Sequence, residues 1–206
     1  SVRNLENTLE ELEQNRVEMS TYICINSDII GLMTADDPEA LKQDSQLWLD
    51  HAPMRFSQDT LALKGYVKTL GIYPENGVQP YLRCMDSSSY VPDLDTVKHT
   101  ALYQDVVASR GKIYWQLVPK NASEVYQANR SDKIVLFREM YDLSKRHPLA
   151  YLAIGADAQK YRELCEASVA YESDSVMVLN QQGEELVSHG DIDDKTVKFL
   201  KGSQFR

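Results

Sequence analysis

Near Leu70 the apolar period of this chain changes from helical to alternating, and that switch limits what it can fold into. Before it, Leu5, Leu9, Leu12, Met19 and Ile23 fall at a and d spacing, with Arg16 interrupting one d position and Glu6, Glu10, Glu11 and Glu13 largely off the seam. The spacing predicts an amphipathic helix of roughly six turns, packed on a sheet or paired with a second copy. Asn26-Ser27-Asp28 offers a cap before IIGLM, and Asp37-Pro38 is a start signal for a helix through PEALKQDSQLWLDHA that stops near Pro53. A third helix is expected over 58–70.

After the switch, two short strands flank the turn Pro74-Glu75-Asn76-Gly77. A polar loop over 86–95 and a helix through TVKHTALYQDVVASRG follow, with Gly111 just past its end. KIYWQLVPK reads as a strand and 121–131 as a second polar loop. Strands over 132–142 and 149–155 and a helix from about Asp157 complete a block of five strands, with a helix inserted between the second and third. DSVMVLNQQGEELVSHGD predicts a further hairpin about Gln181-Gln182-Gly183, and DIDDKTVKFLKG a last helix. Two strands and one helix are too little to bury a core alone.

At 206 residues and 43% hydrophobic content the chain can bury a real core. Its 31 acids against 22 bases give a net charge of −9, and no basic run exceeds Lys145-Arg146-His147, which argues against a nucleic-acid partner. Cys24, Cys84 and Cys165 are widely spaced with no CxxC, so a disulfide framework or zinc site is unsupported and three buried free thiols are expected. No apolar run approaches the roughly 20 residues of a membrane helix, and no signal peptide is present. The opening SVRNLENTLEELEQNRVEMSTYI lacks a methionine and enters helix at once, as in a piece excised from something longer.

Catalytic spacings are missing too. His51, His99, His147 and His189 stand isolated, there is no GxSxG and no phosphate-cradling glycine loop, and no cofactor is expected. Asp191, Asp193 and Asp194 fail the calcium-loop spacing and read as acids at a helix start. The informative stretch is KIVLFREMYD. Residues two apart on a strand share a face, so Ile134, Leu136, Arg138, Met140 and Asp142 lie on one side and Val135, Phe137, Glu139 and Tyr141 on the other. An arginine beside a buried face needs an anion, a carbonyl or solvent. One reading is an internal ion pair of Arg138 with Asp142 or Glu139. The other is a ligand pocket in which Arg138 and Asp142 are joined by Trp115, Gln116 and Tyr103, beneath the loops 86–95 and 121–131, with Tyr90 or Tyr126 reaching in.

Three stretches carry a family resemblance: MSTYICINSDIIGLM, YLAIGADAQKYRELC and DSVMVLNQQGEELVSHGD. The chain resembles the extracellular double Cache (PAS-like) sensor domains of YesM-type sensor histidine kinases. The resemblance implies an α+β fold: a long N-terminal helix on a five-stranded antiparallel sheet, then the beginning of a second, incomplete PAS-like module. It implies a helical region over 1–57, a membrane-distal module over 58–168 and the start of a membrane-proximal module over 169–206. It further implies a non-enzymatic sensor on the extracellular side of a bacterial membrane, anchored through segments outside this chain. Such a sensor binds a small polar molecule or a sugar-loaded binding protein, signals through the N-terminal helix to a kinase, and is a homodimer in the intact receptor. The Tyr, Arg, Trp, Tyr and Asp signature of amino-acid-binding double Cache domains does not fall on HTALYQDVVASRGKIYW, which leaves the ligand open. An AraC-type regulator or chemoreceptor with a similar outer domain is the alternative output, and a secreted hydrolase the alternative class.

Overall fold

A computed structural model of the chain describes residues 2–41, 48, 51–85, 94–120, 131–142, 144 and 146–202. Helix α1 (Val2–Ile25) runs 24 residues and turns its apolar seam inward, burying Leu5, Leu9, Leu12, Met19 and Ile23. Those five side chains contribute on the order of 10 kcal/mol of gross hydrophobic stabilisation. The seam therefore packs on the chain's own core, the first of its two readings.

Asn26 ends α1 and caps α2 (Ser27–Met33), its side chain accepting from the Asp28 and Ile29 amides. Helix α3 (Pro38–Leu41) starts at the expected Asp-Pro signal, and most of the rest of that expected helix lies outside the described residues. Pro53 does not stop a helix; it sits in the first turn of α4 (Ala52–Lys64), where a missing N–H costs nothing. Gly65, at φ 54°, follows the last residue of α4, Lys64, six residues short of the end that the periodicity suggests. Val67 and Leu70 accordingly belong to strand β1 (Val67–Pro74), and both are buried.

The sheet continues with β2 (Tyr81–Cys84), β3 (Tyr114–Val118), β4 (Lys133–Asp142) and β5 (His147–Asp157), in the antiparallel order β2-β1-β5-β4-β3. Between β2 and β3 the expected single helix is two, α5 (Leu94–Lys98) and α6 (Ala101–Ala108). The break falls at Thr100, whose hydroxyl accepts from the Tyr103 amide as an N-cap, a bond that a continuous helix would forgo.

Pairing fixes the two faces of the sheet. Ile134, Leu136, Arg138 and Met140 of β4 point to the α1 face with Leu152 and Ile154 of β5 and Leu70 and Ile72 of β1. Val135, Phe137 and Glu139 point to the α6 face with Tyr151 and Ala153 of β5 and Tyr73 of β1. Helices α1, α2 and α4 cover the first face, and α5 and α6 the second.

Asp157 caps α7 (Ala158–Ser168), which buries Tyr161 and Cys165 against α1. Strands β6 (Val176–Leu179) and β7 (Glu185–His189) form a separate hairpin, followed by α8 (Asp194–Gly202). As expected, the turn Asn180 to Glu184 carries a glycine at positive φ, Gly183. Asn180 also fastens the hairpin to the main sheet: its Nδ2 donates to the Trp115 carbonyl at 2.9 Å, and its Oδ1 accepts from the Gln182 and Glu184 amides. Because Asn180 is buried, Asn180→Ala should cost about 2–3 kcal/mol through the orphaned groups it leaves. Urea titration measures this, and an unchanged midpoint means that the docked hairpin contributes nothing to the fold.

Of the three cysteines only Cys165 is buried; Cys24 and Cys84 are partly exposed and all are free. Among the described residues no helix is long and apolar enough to cross a membrane.

Candidate functional site

The structure divides the five predicted site residues between the two faces of the sheet, so they do not line one pocket. Trp115 and Arg138 belong to the α1 face, Gln116 and Tyr103 to the α6 face. The physical reason is the two-residue period of a strand: Trp115 and Gln116 are neighbours in sequence and so point to opposite sides.

On the α1 face, Arg138 donates through Nη1 to Ser20 Oγ at 3.3 Å and Thr21 Oγ1 at 3.1 Å, both on α1. Among the described residues no carboxylate pairs with it, and its partners are the two hydroxyls rather than Asp142 or Glu139. Asp142 instead ends the strand, accepting from the Ser144 amide and hydroxyl at 2.9 and 2.7 Å. Trp115 stacks on a cation of different origin: the Arg16 guanidinium lies 4.6 Å from its ring centroid and 5.6 Å from that of Tyr161. Arg16 is fully buried, and it donates to the Ile134 carbonyl at 2.5 Å and to the Tyr161 hydroxyl. Burial lifts the Tyr161 hydroxyl to about 12, with Arg16 drawing it the other way. Two arginines thus fasten α1 to β4, one from each partner. In the sequence Arg16 reads only as a flaw in an apolar seam; that flaw was its signal.

On the α6 face the rings of Tyr73, Tyr103, Phe137 and Tyr151 form one cluster, with Tyr151 at its centre. Its polar end is Glu75, Lys98, Tyr103 and Glu139. Lys98 Nζ stands 2.6 Å from Glu75 Oε2, and the Tyr103 hydroxyl donates to Glu75 Oε1 at 3.4 Å. Burial and then the Glu75 and Glu139 charges push the Tyr103 hydroxyl up to about 12. Burial first, and Glu75 second, hold the Glu139 carboxyl above the usual carboxylate range, against the pull of Lys98. Glu75, Lys98 and Glu139 lie outside the sequence-predicted set. The available signal was Glu139 alone among apolar neighbours on its strand face.

Tyr90, Tyr126 and most of the expected loops 86–95 and 121–131 lie outside the described residues, and Leu94 and Asp95 already belong to α5. Arg83 is exposed on the edge strand β2. Asp193 accepts from the Thr196 amide at 2.7 Å, the helix-start role read for these acids.

No protein-family model and no curated protein matches the sequence. Solved structures do match it. The ligand-binding domain of the Campylobacter jejuni chemoreceptor Tlp3 in complex with 4-methylisoleucine aligns with TM-score 0.56 at 11% identity, covering 99% of this chain and 70% of that one. The same domain in complex with L-valine gives 0.54 at 12% identity, covering 99% and 71%. Its isoleucine-bound form gives 0.54 at 11%, covering 99% and 71%. These neighbours are Cache-like sensor domains of chemoreceptors, and their shared fold is the one described above: a helix-rich N-terminus on a five-stranded antiparallel, PAS-like sheet.

Proposed function

We propose that this chain is the extracytoplasmic ligand-sensing part of a transmembrane signalling receptor, binding a small polar molecule on the α6 face and reporting it through α1. One observation carries the reading: β4 touches both sides of the signal. Its Phe137 and Glu139 face the aromatic cluster, while its Arg138 and the Ile134 carbonyl hold α1. A ligand that displaces β4 by a fraction of an ångström therefore acts on the helix through hydrogen bonds, without crossing a soft core. Tyr103 and Gln116 belong to the binding side of this scheme, Arg138 and Trp115 to its transmitting side. Residues 58–168 form the membrane-distal module and 169–206 begin the next. A sensor histidine kinase is the output that the YesM resemblance supports; a chemoreceptor is the output of the structural neighbours. Either output goes with a domain on the extracellular side of the membrane.

A thermal-shift screen of sugars, amino acids, organic acids and amines tests the reading, since a ligand at 100 times its dissociation constant adds about 2.7 kcal/mol. The shift should be lost in Tyr103→Ala and Gln116→Ala and kept in Arg138→Ala. A screen with no shift in any class, or a shift that survives both α6-face substitutions, sinks it.

A further inference from the structure

Where the turn of the β6–β7 hairpin meets the end of α6, the surface opens into a cleft of about 740 Å³, a volume suited to a small molecule. Asp105, Arg110 and Lys112 line it on the α6 side, and Gln181, Gln182 and Glu184 on the hairpin side. The two sides are joined across it by Tyr114, whose hydroxyl donates to Glu184 Oε1 at 2.7 Å.

Two features of this cleft have no part in the fold or in the α6-face cluster. The first is its charge. Glu184 is already engaged, by Tyr114 and at 3.4 Å by Asn180 Nδ2. Asp105, Arg110 and Lys112 have no side-chain hydrogen bond or ion pair among the described residues. The groups left to meet a ligand therefore carry two positive charges and one negative, an excess of one cation on a chain of net charge −9. The second feature is the Arg110 backbone. Directly after Ser109, the C-cap of α6, it stands at φ 50°, in the left-handed region that glycine enters without cost and a residue with a Cβ does not. Its amide donates to the Val107 carbonyl at 3.1 Å, a bond that glycine would make equally well. The cap therefore accounts for the conformation but not for the arginine.

We propose that this cleft binds a small hydroxylated monocarboxylate, such as a sugar acid, with the carboxylate on Arg110 and Lys112.

A carboxylate matches the planar fork of a guanidinium, and the Lys112 ammonium adds a further charge-assisted donor. One negative charge cancels the excess. A phosphate dianion would exceed it with Asp105 close by, and a zwitterion would leave one cation over. Calcium takes six or more oxygen ligands, whereas this cleft offers one unengaged carboxylate among two cations. The remaining groups suit hydroxyls: Asp105 accepts, and the Gln181 and Gln182 side-chain amides both donate and accept. A ligand so held touches the end of α6 on one side and the hairpin turn on the other, bracing the junction that Tyr114 and Asn180 already fasten. This site goes beyond the sensor reading and does not depend on it.

Titration calorimetry of the chain with sodium gluconate tests the proposal. Glucose, sodium butyrate, sodium phosphate and valine at equal ionic strength are the comparison arms. Gluconate should bind more tightly than all four. Arg110→Gly should weaken it by about tenfold or more, the worth of a charge-assisted hydrogen bond, and should melt no lower than the parent because glycine relaxes the left-handed residue. Lys112→Gln, at an exposed position, should weaken gluconate as well, and Tyr103→Ala should leave it unchanged. Absence of gluconate binding overturns the site, as does binding unchanged in Arg110→Gly or in Lys112→Gln. Glucose, phosphate or valine binding as tightly as gluconate overturns the ligand class. A thermal shift that Arg110→Gly abolishes belongs to this cleft, and only shifts that it leaves intact bear on the α6 face, so the two readings fail separately.

Discussion

Replacing Arg16 by alanine is expected to cost about 3 kcal/mol, lowering the melting temperature of a chain this size by roughly 6–12 °C. The truncation leaves the Ile134 carbonyl and the Tyr161 hydroxyl without their donor and opens a cavity beneath Trp115. The guanidinium itself is poorly compensated. It is fully buried, two neutral oxygens and two rings receive it, and its Nε finds no acceptor. Glu13, the acid that feels it, is held above the usual carboxylate range by burial, with Arg16 only partly offsetting this. Arg16→Met keeps most of the volume and removes the desolvated charge, so it should recover most of the loss. Thermal melts of the two variants separate the terms. Methionine as damaging as alanine would show that the hydrogen bonds outweigh packing, and alanine equal to the parent would show that the charge costs as much as it supplies.

The fate of Arg16 illustrates what was legible in the sequence. Hydrophobic period located α1, the five strands and the β6–β7 hairpin because each buries a continuous face, and burial writes itself into spacing. The inserted helix before β3 and the turn at Gly183 were legible for a related reason: caps and positive φ demand particular residues. Three local features escaped. Pro53 starts a helix as readily as it stops one, Thr100 divides a helix that periodicity alone would continue, and 67–70 suits either period.

The site was less legible than the fold. Strand alternation placed Glu139 correctly on the face opposite Arg138, but only the register with β5 shows that Tyr151 stands opposite it. Neither Glu75 nor Lys98 can be associated with Glu139 from spacing, because the three come from the β1–β2 connection, α5 and β4. The paired functional reading of Arg138 with Tyr103 failed for the same reason. A strand states which of its own residues share a side, and says nothing about which side an inserted helix will cover.

Truncating Tyr151 to alanine should be about as damaging as losing Arg16, or more so, at about 3–5 kcal/mol. Tyr151 is 1% exposed and its ring meets those of Tyr73, Tyr103 and Phe137 at 6.1, 5.4 and 5.8 Å, so it joins β1, β4, β5 and α6 in one contact set. Removing it takes out the centre of the α6-face core, whereas Tyr151→Phe keeps every ring contact and should stay within about 1 kcal/mol of the parent. The tilted Tyr103–Tyr151 pair itself should be worth about 0.5–1.5 kcal/mol beyond area burial, which a double-mutant cycle with Tyr103→Ala isolates. Urea midpoints of the four proteins give that coupling directly. A coupling near zero would mean that α6 is held to the sheet by its aliphatic side chains, Leu102, Val106 and Val107, and not by the ring pair.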